Sequence, residues 1–225
     1  MFWCFFQKIE PLIIKAYKKL TQPPVPNLAG DRDVEYSWIA ANIPEGPGKA
    51  LDFGSGKSWL GLLASRKGFE TITFDLQEIS WPYLHPQLKF IKGDILEKNK
   101  FPPQSFDLIL NCSSIEHVGL TNRYGVTKRN SEGDLETMKI LRNLLNSGKV
   151  MLLTVPVGKD AIFEPMHRVY GKKRLTKLLA EFEIIKKEFW IKNKDNQWET
   201  VSEEKALTEE TKPYYYGLGL FVLKK

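Results

Sequence analysis

Apolar positions along this chain gather into short runs bounded by glycine, proline and charge, and between the runs they recur at helical spacing. The runs at 49–53, 70–75, 88–92, 106–112 and 148–155 predict strands, and the segments at 57–67, 132–145 and 171–181 predict helices. A shorter helix over 35–42 precedes them, ended by Pro44-Glu45-Gly46-Pro47-Gly48. Two late strands follow, near 182–191 and 214–223. The polar stretch 193–212 between them reads as an insertion that either covers a binding site or moves freely. Alternation of this kind implies parallel strands joined by right-handed crossovers, with helices on both faces of the sheet. The expected architecture is an α/β domain over residues 28–225, preceded by a separate segment over 1–27.

In that leading segment Phe2, Phe5, Phe6, Ile9, Leu12, Ile13, Ala16, Tyr17 and Leu20 fall mostly on one side of a helix. Lys8, Lys15, Lys18 and Lys19 face water. Gln7, Lys8 and Glu10 interrupt any bilayer-spanning run, and the features of a signal peptide are missing. Two readings stay open: a helix packed on its own domain or over its ligand cleft, and an interfacial helix that lays residues 1–20 on a membrane surface. Residues 21–27, TQPPVPN, read as a linker.

Composition narrows the class and the partners. A chain of 225 residues with 42% hydrophobic and 27% charged positions supports one buried core and excludes a wholly disordered protein. Net charge is +6, but the 33 Lys and Arg are interspersed with 27 Asp and Glu and form no dense basic block. Nucleic acid is therefore not an expected partner. Cys4 and Cys112 make no disulfide framework, which points to a reduced, cytoplasmic protein, peripheral at the membrane if residues 1–20 bind it. Nothing in the sequence sets an oligomeric state.

The chemistry begins at Leu51-Asp52-Phe53-Gly54-Ser55-Gly56-Lys57-Ser58, where an acid and two glycines stand at the turn from first strand to helix. Backbone can approach a ligand closely there. The triplet Gly56-Lys57-Ser58 does not close a P-loop, because Leu51 occupies the position of that motif's first glycine. A dinucleotide fingerprint fails too: Trp59 takes the third small position, which argues against tight helix packing and against a dehydrogenase. About twenty residues past the glycine turn, Asp75 ends the second strand, where a carboxylate accepts ribose hydroxyls. Asp94 and Ile95 follow the third strand in Phe90-Ile91-Lys92-Gly93-Asp94-Ile95.

This order resembles class I S-adenosylmethionine-dependent methyltransferases, whose first motif is an acid followed by x-Gly-x-Gly. The resemblance implies a Rossmann-like fold, a mostly parallel seven-stranded sheet with an antiparallel last strand, and S-adenosyl-L-methionine as cofactor. It implies that Asp52 meets the cationic amino end of the methionine moiety, that Gly54 and Gly56 let the chain pass beneath the cofactor, and that Asp75 holds the ribose. Asp94 and Ile95 would take the adenine, with Ser55, Leu76 and Asn111 completing the cofactor-binding set. More narrowly, Ser113-Ser114-Ile115-Glu116-His117-Val118-Gly119-Leu120, Arg123-Tyr124-Gly125, Gly133-Asp134-Leu135, Thr154-Val155-Pro156-Val157-Gly158 and His167-Arg168-Val169-Tyr170 resemble a methyltransferase-like family designated DUF268. That resemblance implies enzymes of glycan or other surface-polymer pathways.

In a doubly wound sheet the ligand sits beyond the carboxyl ends of the strands, where strand order reverses. Segments 111–119 and 156–170 therefore converge on the transferable methyl group. His117 and His167 lie there, while His85 stands apart. Methyl transfer needs alignment and exclusion of water rather than a covalent nucleophile, and a hydroxyl acceptor also benefits from a general base. His117 is the first choice and His167 the second, with a structural hydrogen bond as the competing role of each. Glu116, whose side chain adjoins that of His117 only with difficulty, either orients His117, holds an acceptor hydroxyl or meets Arg123. Glu116, His117, His167 and Asp160 lack the close spacing of metal ligands, so no metal is expected.

Arg123, Arg168 and Tyr170 either read a phosphate or carboxylate on the acceptor or pair structurally. The acceptor is expected to be a hydroxyl or other small acceptor, on a small molecule or glycan. Asn111-Cys112-Ser113-Ser114, in place of Asn-Pro-Pro-Tyr, weakens the case for an amino-group methylase of DNA or protein glutamine. The competing function is a non-catalytic cofactor-binding or scaffold protein on the same fold.

Overall fold

The computed structural model describes residues 11–14, 17, 30–80, 83–97 and 100–225. The amphipathic helix and linker expected over 1–27 lie outside the described residues, save 11–14 and 17, which are helical and exposed. Among the described residues no helix is long and apolar enough to cross a membrane.

The chain runs α1 (Asp31–Asn42), β1 (Gly48–Phe53), α2 (Leu60–Arg66), β2 (Phe69–Asp75), β3 (Leu88–Lys92) and β4 (Phe106–Cys112). A 3-10 turn (Ile115–His117), α3 (Gly133–Leu144), β5 (Leu145–Val157), β6 (Ala161–Phe163), β7 (His167–Val169) and α4 (Lys172–Leu179) follow. β8 (Glu183–Lys192), β9 (Trp198–Val201), α5 (Glu203–Thr208) and β10 (Gly217–Lys224) complete it. One sheet has the order β3-β2-β1-β4-β5-β10-β8-β9, with β6 and β7 paired as a separate hairpin. Strands β1 to β5 are parallel, and β10 is antiparallel to both β5 and β8. Order reverses between β1 and β4, the point where α/β sheets open to ligands.

The central strands are apolar on both sides, as parallel strands covered by helices must be. On one face Leu108, Leu110, Leu152 and Leu220 pack with Trp38 and Ile39 of α1 and Leu60 and Ala64 of α2. On the other, Ile109, Met151 and Leu153 pack with Met138 and Leu141 of α3 and Leu175 and Leu178 of α4. Each such leucine contributes about 1.5–3 kcal/mol by burial.

Among the described residues the sheet has eight strands, one more than the seven expected. The additional strand, β9, has the sequence Trp198-Glu199-Thr200-Val201 and pairs antiparallel with β8 at the sheet's edge. An edge strand keeps polar residues at water, so its sequence reads as part of a polar insertion. Within the same insertion α5 is capped by Ser202, whose Oγ accepts from Lys205 N at 3.3 Å, and it buries Ala206. α2 begins three residues later than the periodicity predicts, because the glycine turn occupies the intervening chain.

Candidate functional site

At the end of β1 the backbone N–H groups of Gly54 and Ser55 donate to Phe74 O at 2.8 and 3.2 Å. Gly54 and Gly56 have φ of +65° and +50°, a conformation that favours glycine. A Cβ on Gly54 would lie 2.4 Å from Ser114 Cβ, whereas one on Gly56 would meet nothing within 4 Å. The turn is thus closed on the side of β4 and open at Gly56. Asp75 holds it from below: its Oδ2 accepts from Gly56 N at 2.9 Å and its Oδ1 from Gln77 N at 2.9 Å.

Asp52 is buried beneath the turn, where its Oδ2 accepts from Gly61 N at 3.0 Å. Burial pushes its carboxyl up to about 7, against the hydrogen bond from Gly61. A Cβ on Gly61 would stand 2.5 Å from Thr73 Cγ2 and 3.0 Å from Asp52 Oδ2. Close packing of helix on strand, which Trp59 argued against, is therefore supplied two residues later by Gly61. Trp59 instead packs edge-on against Tyr36 of α1, with ring centroids 5.6 Å apart.

A cavity of about 430 Å³ opens beyond the carboxyl ends of β1–β4. Asp52, Gly54, Ser55, Gly56, Asp75, Leu76, Asp94 and Ile95 all line it. Asn111, expected in the same set, does not. It is fully buried and in register with Phe53 and Leu153, both in the core beneath α3 and α4. Strand alternation puts its neighbour Cys112 on the cavity side instead. Both polar atoms of the Asn111 amide lack a partner.

Beyond β4 the wall is held by side chains from distant segments. Ser113, with φ of 42°, donates through Oγ to Glu35 of α1, and Thr154 Oγ1 of β5 donates to the same carboxylate oxygen at 2.7 Å. Arg32 pairs with Glu35, which is completely buried. The sequence reading missed Glu35, although it shares the buried face of α1 with Trp38 and Ile39. An acid within an apolar helical stripe is the signal that would have found it.

His117 lines the cavity. Its Nδ1 lies 2.6 Å from Met166 O, so that nitrogen carries the proton and Nε2 is the basic one. Glu116 Oε1 is 3.6 Å from Nε2, so these adjacent side chains do meet. Burial, then the charge of Arg123, pulls His117 down to about 3. Burial pushes Glu116 up to about 8, and its Oε2 has no partner. Glu116 and His167 lie outside the cavity lining. His167 is packed between Phe163 and Tyr216, its ring 6.5 Å from that of His117.

Of the two roles left open for Arg168 and Tyr170, the structure shows structural pairing. Arg168 is fully buried and donates to the carbonyls of Glu116, Val118, Asn130 and Ser131 at 2.6–3.4 Å. Tyr170 donates to buried Asp134 at 3.1 Å. Arg168 fastens the 3-10 turn and the segment leading from it to α3, and Tyr170 the first turn of α3. Arg123 is different: it lines the cavity and donates to Met166 O at 2.8 Å. Asp160 caps α4, accepting from the backbone of Gly171, Lys173 and Arg174 at 2.7–3.2 Å. Among the described residues no group of three or more His, Cys, Asp or Glu is placed to hold a metal ion.

The profile of a family described as "Caenorhabditis protein of unknown function, DUF268" matches residues 50–225. No curated protein matches the chain. Among solved structures, a SAM-dependent methyltransferase from Archaeoglobus fulgidus is similar at 18% identity, over 88% of this chain and 96% of that one, with a TM-score of 0.60. The 1,6-didemethyltoxoflavin-N1-methyltransferase of Burkholderia thailandensis, with bound 1,6-didemethyltoxoflavin and S-adenosylhomocysteine, is similar at 13% identity, over 96% and 86% of the two chains, TM-score 0.55. The [4+2]-cyclase SpnF matches at 15% identity over 86% and 80%, TM-score 0.60. At these identities the likeness is one of fold.

Proposed function

We propose that this chain, which belongs to the DUF268 family and has the fold of class I methyltransferases, transfers a methyl group from S-adenosylmethionine to a hydroxyl or other small acceptor. One observation carries the reading: three carboxylates at successive strand ends, Asp52, Asp75 and Asp94, line one cavity around an open glycine turn. Asp52, poorly solvated, favours a cationic partner such as an ammonium group. Each oxygen of Asp75 uses one lone pair on backbone N–H and keeps a second for a ribose hydroxyl. Asp94 with Ile95 offers an acceptor edge and an apolar face to the adenine.

When bound, S-adenosylmethionine supplies an electrophilic methyl group on a sulfonium. The chain's task is to align the acceptor and exclude water. With the Nδ1 proton committed to Met166 O, His117 Nε2 receives the acceptor's hydroxyl proton. At about 3 it is a weak base, and Glu116, raised to about 8 and 3.6 Å away, takes the proton onward only in its ionised form, which prevails above about pH 8. The family resemblance and the lack of Asn-Pro-Pro-Tyr at 111–114 favour a small molecule or glycan over DNA or protein glutamine.

The weak basicity of His117 favours a second reading, a protein that binds the cofactor without methyl transfer, and the fold is compatible with it. Calorimetric titration with S-adenosylmethionine, with NAD as control, tests both readings at their common root. Saturable binding of S-adenosylmethionine alone is expected. Binding of NAD alone, or of neither, removes both.

A further inference from the structure

Charge is divided across the cavity. Its acids, Asp52, Asp75 and Asp94, stand on the side of β1, β2 and β3, while the segment between the 3-10 turn and α3 contributes Arg123 and Lys128 and no acid. Arg123 is aimed by its surroundings. Its Nη1 donates to Met166 O, and its guanidinium carbon lies 4.8 Å from the Tyr124 ring centroid. The backbone around it is a tight turn in which Asn122 and Tyr124 have φ of 63° and 55° and Asn122 N donates to Val126 O at 3.0 Å. Such conformations persist only where surrounding contacts enforce them, and here Arg168 fastens the segment at four carbonyls.

Of the other cations nearby, Arg129 pairs with Glu164 at 2.8 Å, Arg174 with Asp134, and Arg32, which also lines the cavity, with Glu35, while Lys57 lines the opposite side, on the glycine turn next to Gly56 and Asp75. Among the described residues neither Arg123 nor Lys128 has a carboxylate within ion-pair distance. The guanidinium has five N–H donors in a planar fork, of which one is used.

We infer that Arg123 and Lys128 form an oxyanion subsite that binds a phosphate or carboxylate group on the methyl acceptor. The assignment rests on the methyltransferase reading for its role, though not for the anion binding itself. His117 and Arg123 bond the same carbonyl oxygen, so the reacting hydroxyl and the anionic group lie a short span apart. The substrate class is a small phosphorylated or carboxylated hydroxyl compound, held bidentately by Arg123 and electrostatically by Lys128.

The test is a phosphorus NMR titration of the full chain with inorganic phosphate, with and without saturating S-adenosylhomocysteine, alongside calorimetry with S-adenosylmethionine. Saturable phosphate binding is expected, weakened about tenfold by Arg123→Gln and severalfold by Lys128→Gln. Arg129→Gln, whose charge is paired elsewhere, should leave it unchanged. Lys128 forms no ion pair, so Lys128→Gln stays informative if Arg123→Gln fails to fold. Displacement of phosphate by acetate in a competition titration would assign a carboxylate-tolerant subsite, and lack of displacement a phosphate-selective one. Absence of saturable binding, or equal losses in all three variants, overturns the subsite. Competition between phosphate and S-adenosylhomocysteine also overturns it, by giving the cations to the cofactor's own carboxylate. Phosphate binding without any S-adenosylmethionine binding removes the acceptor role and the methyltransferase reading together, whereas the reverse result removes only the subsite.

Discussion

On the side of β1 to β3 the cavity is made from segments near in sequence and mainly from backbone: Asp52 meets Gly61 nine residues on, and Asp75 meets Gly56 across 19. On the side of β4 and β5 it is made from side chains that meet over long distances, Ser113 with Glu35 across 78 residues and Thr154 with Glu35 across 119. The first arrangement presents fixed backbone dipoles and shape, which suit a ligand of constant structure. The second depends on a buried polar network whose members fail together, because a buried group that loses its partner pays its desolvation cost in full.

The sharpest way to break this contrast is Arg168→Ala. Removing the guanidinium takes its buried donors from four carbonyls, leaving those of Glu116 and Val118 unpaired, while Asp134 keeps Arg174 and Tyr170, and should cost about 3–5 kcal/mol of stability, read by urea unfolding. A loss under about 1 kcal/mol would show that the far wall tolerates broken contacts as surface pairs do. Next in size, Asp75→Ala should weaken S-adenosylmethionine by about 1–3 kcal/mol in calorimetry and leave the far wall's stability intact. Unchanged affinity would take Asp75 out of the site.

The smallest effect is the pH response. Asp52 at about 7 and Glu116 at about 8 are raised by burial, so their contribution is full below the ordinary carboxylate range and is lost as pH rises toward 8. His117, lowered to about 3, opposes them only below its ordinary value of 6.5. Thermal stability of the ligand-free protein should therefore fall between pH 6.5 and 8. Glu116→Gln should flatten that fall by on the order of 1 kcal/mol. An identical slope in the variant would mean that Glu116 is already ionised in the folded protein.

The same contrast decides what could be read from the sequence. Asp52, Gly54, Gly56 and Asp75 are legible because the turn that needs them is local and only glycine fits its backbone at low cost. The packing role of Gly61 is legible only once the turn's length is known, since it depends on Thr73 across the strand. Asn111 was misplaced by one step of strand alternation, which the end of a strand does not reveal. The role of Arg168 stays open in sequence because residue type says nothing of whether a guanidinium faces a cavity or four carbonyls. β9 escaped notice because Glu199 and Thr200 face water.

Met166 gives His117 and Arg123 their shared anchor through a main-chain oxygen. Every residue type carries that oxygen, so substitution at 166 can change the local shape while the anchor is inherited unchanged, provided the chain keeps its path. The two bonds depend on the side chains at 117 and 123 but only on the backbone at 166. A change in what the cavity accepts can therefore accumulate beside the two side chains without first dismantling their alignment.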